Sequence, residues 1–177
     1  YWVLRNKIII GSLFCLTFLF FSCSNQKNTK QTRLYHEINT RYNIYYNAEI
    51  AYEEALEEKE KSYEDNLSKT IYVYPYYPDY EENKNSTFEA TIDKAVKAIK
   101  LHSIQAKPKR DPGKRGNVKY QEWLLQKEFN PFLKNVWLLM AKAEYQSLDY
   151  TRAISTFSYI TRLYRNDPEV VAEANLW

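Results

Sequence analysis

The chain has 177 residues with 25 Lys and Arg against 22 Asp and Glu, a formal net charge of +3, so its charge does not call for nucleic acid and its length suits one main domain. It carries 17 Tyr but only 3 Gly and 2 Cys. The scarce cysteines exclude a disulfide framework and a thiolate metal site, and the long apolar-patterned segments have a helical period, so the expected class is all-α.

Arg5 and Lys7 precede an apolar run from Ile8 to Phe21. Its 14 residues reach about 21 Å at about 1.5 Å each, short of the roughly 30 Å of a bilayer core. A basic start, a short apolar middle and Ser22 before Cys23 are the parts of a bacterial lipoprotein signal peptide spanning 1–22, with Cys23 as the acylated first residue. The place three residues before the cysteine, where the consensus prefers Leu, holds Phe20. An uncleaved anchor is the second reading. Residues 23–31 are then the lipidated cysteine and a flexible polar tether, and 32–177 form the helical domain.

From Thr32 to Tyr46, the spacing of Leu34, Ile38, Tyr42 and Tyr45 predicts one apolar helix face. Asn47 reads as a break before a second arm carrying Ala51, Tyr52, Ala55 and Leu56, so a helical hairpin is expected, with Glu57 to Lys61 as its solvated end. The segment IYVYPYYPDY at 71–80 is an extended connector or, through Tyr74, Tyr76 and Tyr77, an aromatic platform for a partner. Ser86 with Glu89 forms a capping-box pattern ahead of a helix striped by Phe88, Ile92, Ala95, Val96 and Ile99.

The loop at 107–119 concentrates Lys107, Lys109, Arg110, Lys114, Arg115 and Lys119, which suits an acidic partner surface or lipid head groups as well as it suits plain solvent. A short helix is expected within 117–130. Asn130-Pro131 supplies a start for the next, which carries Trp137, Met140, Ala141, Tyr145 and Leu148. Asp149 caps its partner, with Ala153, Ile154, Phe157, Ile160 and Tyr164 on one stripe, and Asp167-Pro168 opens a further helix.

The stretch from 137 to 168 resembles a tetratricopeptide repeat (TPR). Trp137 stands at the large first position, Met140 and Ala141 at the Leu-Gly pair, Ala153 at the small helix-crossing position and Phe157 four residues later; Glu144 stands where the consensus has Tyr. The repeat spans about 134–168, and Asn-Val-Trp at 135–137 recurs as Asn-Leu-Trp at 175–177, so a second repeat is expected from about 168 and the chain reads as a fragment of a longer product. Tyr35, Ile38, Tyr42 and Ala51 match the spacing of Trp137, Met140, Glu144 and Ala153, as a degenerate earlier repeat would.

Read together, YHEINTRYNIYYNAEIAYEEAL, DKAVKAIKLHSIQAKPKR, FNPFLKNVWLLMAKAEY and DYTRAISTFSYITRLYRNDP, in this order behind a lipoprotein signal, resemble the amino-terminal part of the PorW/SprE family, repeat-containing outer-membrane lipoproteins of the type IX secretion system in the Bacteroidetes. The resemblance implies an α-solenoid that scaffolds protein secretion and, in gliding species, motility. It also implies lipid anchoring on the periplasmic face of the outer membrane, and as partners the PorK/PorN-type ring proteins and the outer-membrane translocon. Two other classes fit the same residues: a TPR lipoprotein of outer-membrane protein assembly, and a glycan-binding surface lipoprotein.

No catalytic chemistry is expected. His36 and His102 stand alone in sequence, no Gly-x-Ser-x-Gly elbow or Gly-rich phosphate loop occurs, and the Glu residues of 53–60 fall on a solvated helix face, so neither metal nor cofactor nor small-molecule substrate is implied.

Overall fold

The computed structural model describes residues 27–61, 67–68 and 86–177. Their secondary structure is helical throughout, without strands. The expected signal peptide with Cys23 and the tyrosine-proline segment with Tyr74, Tyr76 and Tyr77 lie outside the described residues.

The first element is one continuous rod. Helix α1 (Lys30–Ile38) passes through a π-helical segment (Asn39–Tyr45) directly into α2 (Tyr46–Lys61), so the expected hairpin at 32–61, with its break at Asn47, does not exist. Widening a helix from i−4 to i−5 bonding frees carbonyls, and short polar side chains satisfy them here. Asn39 Nδ2 donates to the Tyr35 carbonyl at 2.8 Å, Thr40 Oγ1 to His36 at 2.6 Å, and Asn47 Nδ2 to Asn43 at 2.5 Å. Asn47 thus supports the helix that it was expected to interrupt. The tether is also shorter than expected: Thr29 caps α1 in a reciprocal pair with Thr32, and Asn28 Nδ2 donates to the Ala106 carbonyl at 2.7 Å.

A 3₁₀ turn (Ser86–Phe88) leads into α3 (Glu89–His102), which returns along the rod. The direction is fixed by matched contacts: Phe88 against Tyr52, the Thr91 hydroxyl on the Ala48 carbonyl, and His102 against His36. The arms of the first hairpin are therefore 30–61 and 89–102. On α3 the expected stripe holds at Phe88, Ile92 and Ala95, with Ile99 packed at the margin, whereas Val96 is exposed and Ala98 takes a buried place.

After the insertion that carries α4 (Val118–Leu125), α5 (Leu133–Gln146) and α6 (Tyr150–Leu163) form the second hairpin, and α7 (Pro168–Leu176) packs against α6. Asn117, Asp149 and Asp167 cap α4, α6 and α7 through their side chains. Helix α5 begins at Leu133 rather than at Pro131, because Asn130 turns its oxygen to the Phe132 amide at 3.1 Å, one turn ahead of the helix. Leu148 adopts φ 65° in the α5–α6 turn, a place usually given to glycine, and its burial to 6% exposure accounts for an apolar side chain there.

Successive helices stacked in this way make an all-α fold of packed helical hairpins, compatible with the expected repeat architecture. Two cores result. One joins Ala55, Phe88, Ile92, Ala95, Leu133, Val136 and Met140; the other joins Leu138, Ala141, Ala153, Phe157, Ile160, Val170 and Ala174. Trp137 packs against both. All five expected repeat-core residues thus lie in or against these cores. Ile154, expected in the stripe, is 66% exposed. So are three of the four residues expected to bury the first helix, Leu34 at 57%, Ile38 at 47% and Tyr42 at 62%, whereas Tyr45 packs against the first core as expected. The degenerate-repeat reading of Tyr35, Ile38 and Tyr42 falls with them, since the rod instead buries His36, Thr40, Ala48 and Ala55.

Candidate functional surfaces and cleft

The insertion between α3 and α5 is held against the start of the rod by a buried polar network. Glu128 is its centre: Oε1 accepts from the Ile104, Phe129 and Asn130 amides at 2.8, 3.0 and 2.8 Å, and Oε2 from the Ser103 hydroxyl at 2.5 Å. Asn130 Nδ2 then donates to Thr40 Oγ1 at 2.9 Å and to the His102 carbonyl at 3.0 Å. His36 and His102, expected to stand alone, meet with their Nδ1 atoms 2.9 Å apart. One must donate and the other accept, so the two rings are not both protonated and the accepting ring is neutral with its proton on Nε2. Burial lowers the pKa of each, and for His102 the neighbouring His36 lowers it further.

The basic loop is more built than a solvated connector. Lys107 turns inward: its Nζ donates to the Leu124 and Gln126 carbonyls at 2.9 and 2.7 Å, closing the end of α4, and lies 5.4 Å from the Phe129 ring centre. Asp111 donates its amide to the Tyr120 hydroxyl at 2.9 Å, and Lys114 lies 3.9 Å from Asp111 and over the Tyr120 ring. Lys109, Arg110, Arg115 and Lys119 remain exposed, so four of the six expected basic residues are presented outward without such contacts.

Glu144, the departure from the repeat consensus, is buried at 3% exposure with Oε1 3.5 Å from Arg152 Nη2. Arg152 also reaches Glu89 at 3.6 Å. A charge pair across α5 and α6 thus takes the place of the consensus aromatic, and burial raises the Glu144 carboxyl above its ordinary range against the pull of Arg152.

Two surfaces stand open that the sequence did not suggest as partner sites, although Leu34, Ile38 and Tyr42 of the first were expected there as a buried face. The first is a stripe on the rod, where Leu34, Ile38, Tyr42, Tyr46 and Ile50 recur every fourth residue and all stand exposed. The second is a cleft of about 440 Å³ between α1, the segment after α4 and the α6–α7 turn. Its lining is apolar and aromatic at Trp123, Phe129, Leu163 and Tyr164, with the exposed Leu34 at the edge. Lys30, Arg33, Lys127, Arg162 and Arg165 ring it, joined by Lys134, which is spent on Asp167 at 2.8 Å. No single helix shows this pattern, because the cations come from elements more than a hundred residues apart in sequence.

Among the described residues no group of His, Cys, Asp and Glu could hold a metal, and no helix is long and apolar enough to cross a membrane. Comparison with protein-family models and with curated proteins gives no match.

Proposed function

We propose that the chain is a non-catalytic, lipid-anchored scaffold of the type IX secretion apparatus, acting beneath the outer membrane in the manner of the PorW/SprE family and holding PorK/PorN-type ring proteins near the translocon. The observation that carries the holding role is the exposed stripe of Leu34, Ile38, Tyr42, Tyr46 and Ile50 on a rigid rod. Contiguous apolar surface rimmed by polar groups marks interaction sites, and tyrosine with arginine is the composition of protein interfaces. Arg41 lies 5.3 Å from the Tyr42 ring within that surface. The four-stretch sequence resemblance, behind an apolar run ending at Cys23, supports the secretion assignment and the anchor.

The anchor is tested by Cys23→Ser. Acyl chains contribute about 0.8 kcal/mol per buried CH₂, so the variant loses metabolic labelling by a fatty-acid analogue and leaves the membrane fraction. Labelling equal to wild type would remove the lipoprotein part of the proposal.

A further inference from the structure

We propose that the cleft between α1, the segment after α4 and the α6–α7 turn is a docking site for an acidic peptide segment with an apolar side chain at its centre. The charge is unbalanced. Glu128 is spent on three backbone amides, and Asp167 on Lys134 and on the Val170 amide that it caps. Six cations, Lys30, Arg33, Lys127, Lys134, Arg162 and Arg165, thus face three carboxylates, Glu37, Glu128 and Asp167, which leaves the lining an excess of positive charge, with Glu37 the one carboxylate not already engaged by those contacts. Among the described residues no ion pair engages any of these cations other than Lys134.

The floor is preorganised. Arg33 lies 5.0 Å from the Trp123 ring centre and bonds Asn28, so its guanidinium is fixed along the wall, and Trp123 packs edge-on to Phe129 at 5.3 Å. Tyr164 lines the same floor with its hydroxyl buried and without a hydrogen-bond partner among the described residues.

The arrangement selects a peptide over a compact anion. A phosphate needs converging donors, whereas here the cations stand apart on three elements around an apolar floor, as an extended chain with spaced carboxylates and one inserted side chain requires. The assignment deepens the scaffold reading by naming its partner's chemistry, and rests on that reading only for the ligand belonging to a protein.

The test uses the full chain in detergent and, as probe, a short fluorescein-labelled peptide of Glu and Asp around a central Leu-Phe pair, followed by anisotropy. Wild type binds and salt weakens the binding. Arg162→Ser with Arg165→Ser weakens it roughly tenfold or more, while Arg110→Ser with Arg115→Ser, which removes the same charge from the exposed loop, changes it less than about twofold. Replacing Leu-Phe by Ala-Ala in the probe weakens binding roughly tenfold.

Equal loss in the two arginine pairs, or indifference to Leu-Phe, would overturn the site in favour of general charge attraction. Displacement of the probe by single-stranded DNA at lower concentration than by unlabelled peptide would overturn it in favour of nucleic acid. Because no secretion component takes part, failure here leaves the scaffold reading standing, and failure of the scaffold reading leaves peptide binding measurable.

Discussion

Trp137→Ala and Phe157→Ala each lower unfolding stability by about 3 to 5 kcal/mol, a large share of what a domain of this size has to lose. Phe157 is 8% exposed inside the second core. Trp137 is the aromatic that touches both cores, stacked at a tilt on Tyr159 with ring centres 4.9 Å apart, so its loss opens a cavity and also uncouples the two helical hairpins. Ile154→Ala is the control, since that side chain is already 66% exposed and its truncation changes stability by less than about 0.5 kcal/mol. Lys142, though polar, is no control: its Nζ sits 2.7 Å from Glu173 Oε1 and 5.1 Å from the Trp177 ring centre. Urea midpoints at constant slope measure the three variants, and equal midpoints for all would show that the helical register is wrong.

Glu128→Ala is expected to cost about 2 to 5 kcal/mol without removing any core hydrocarbon. The substitution strips the acceptor from the buried Ile104 and Asn130 amides and from the Ser103 hydroxyl, whereas the Phe129 amide keeps the Ile104 carbonyl at 2.9 Å. Glu128→Gln retains an oxygen for the amides and loses less. The local readout is hydrogen exchange. Amides of 103–104 and 128–130 exchange faster in Glu128→Ala than those of α6, and uniform exchange across the chain would show that the network does not pin the insertion.

How much of this was legible follows from which residues carried the signal. The α5–α6 hairpin and the start of α7 could be read because Asp149 and Asp167 cap where they stand and because Ala141, Ala153 and Phe157 keep apolar spacing on the buried face. The start of the rod was misread because its buried face is polar there: His36 and Thr40 are inside, bonded to His102 and Asn130, while the apolar residues at fourfold spacing face outward, and only further along do Tyr45, Tyr52, Ala55 and Leu56 meet the core. Periodicity locates an apolar stripe, but it does not say whether a core or a partner covers it. The π segment hid for a related reason, since Asn47 reads as a breaker, yet its amide bonds back along the helix to the Asn43 carbonyl, as the Asn43 amide does to Asn39. The cleft was invisible because it needs the 103–132 insertion folded against α1, which the network around Glu128 and Asn130 brings about over long sequence separations.

The central claim is that this surface holds secretion components at the outer membrane. The most direct measurement is affinity isolation of the tagged full chain from detergent-solubilised native envelopes, beside a variant with Tyr42→Ala and Tyr46→Ala on the exposed stripe, with the recovered proteins identified by mass spectrometry. The scaffold account predicts that wild type recovers the periplasmic ring lipoprotein and its associated subunit, and that the double variant, which folds equally well because both side chains are exposed, recovers markedly less. Recovery of outer-membrane assembly factors or a glycan transporter in place of the ring proteins, or equal recovery by the double variant, would contradict it.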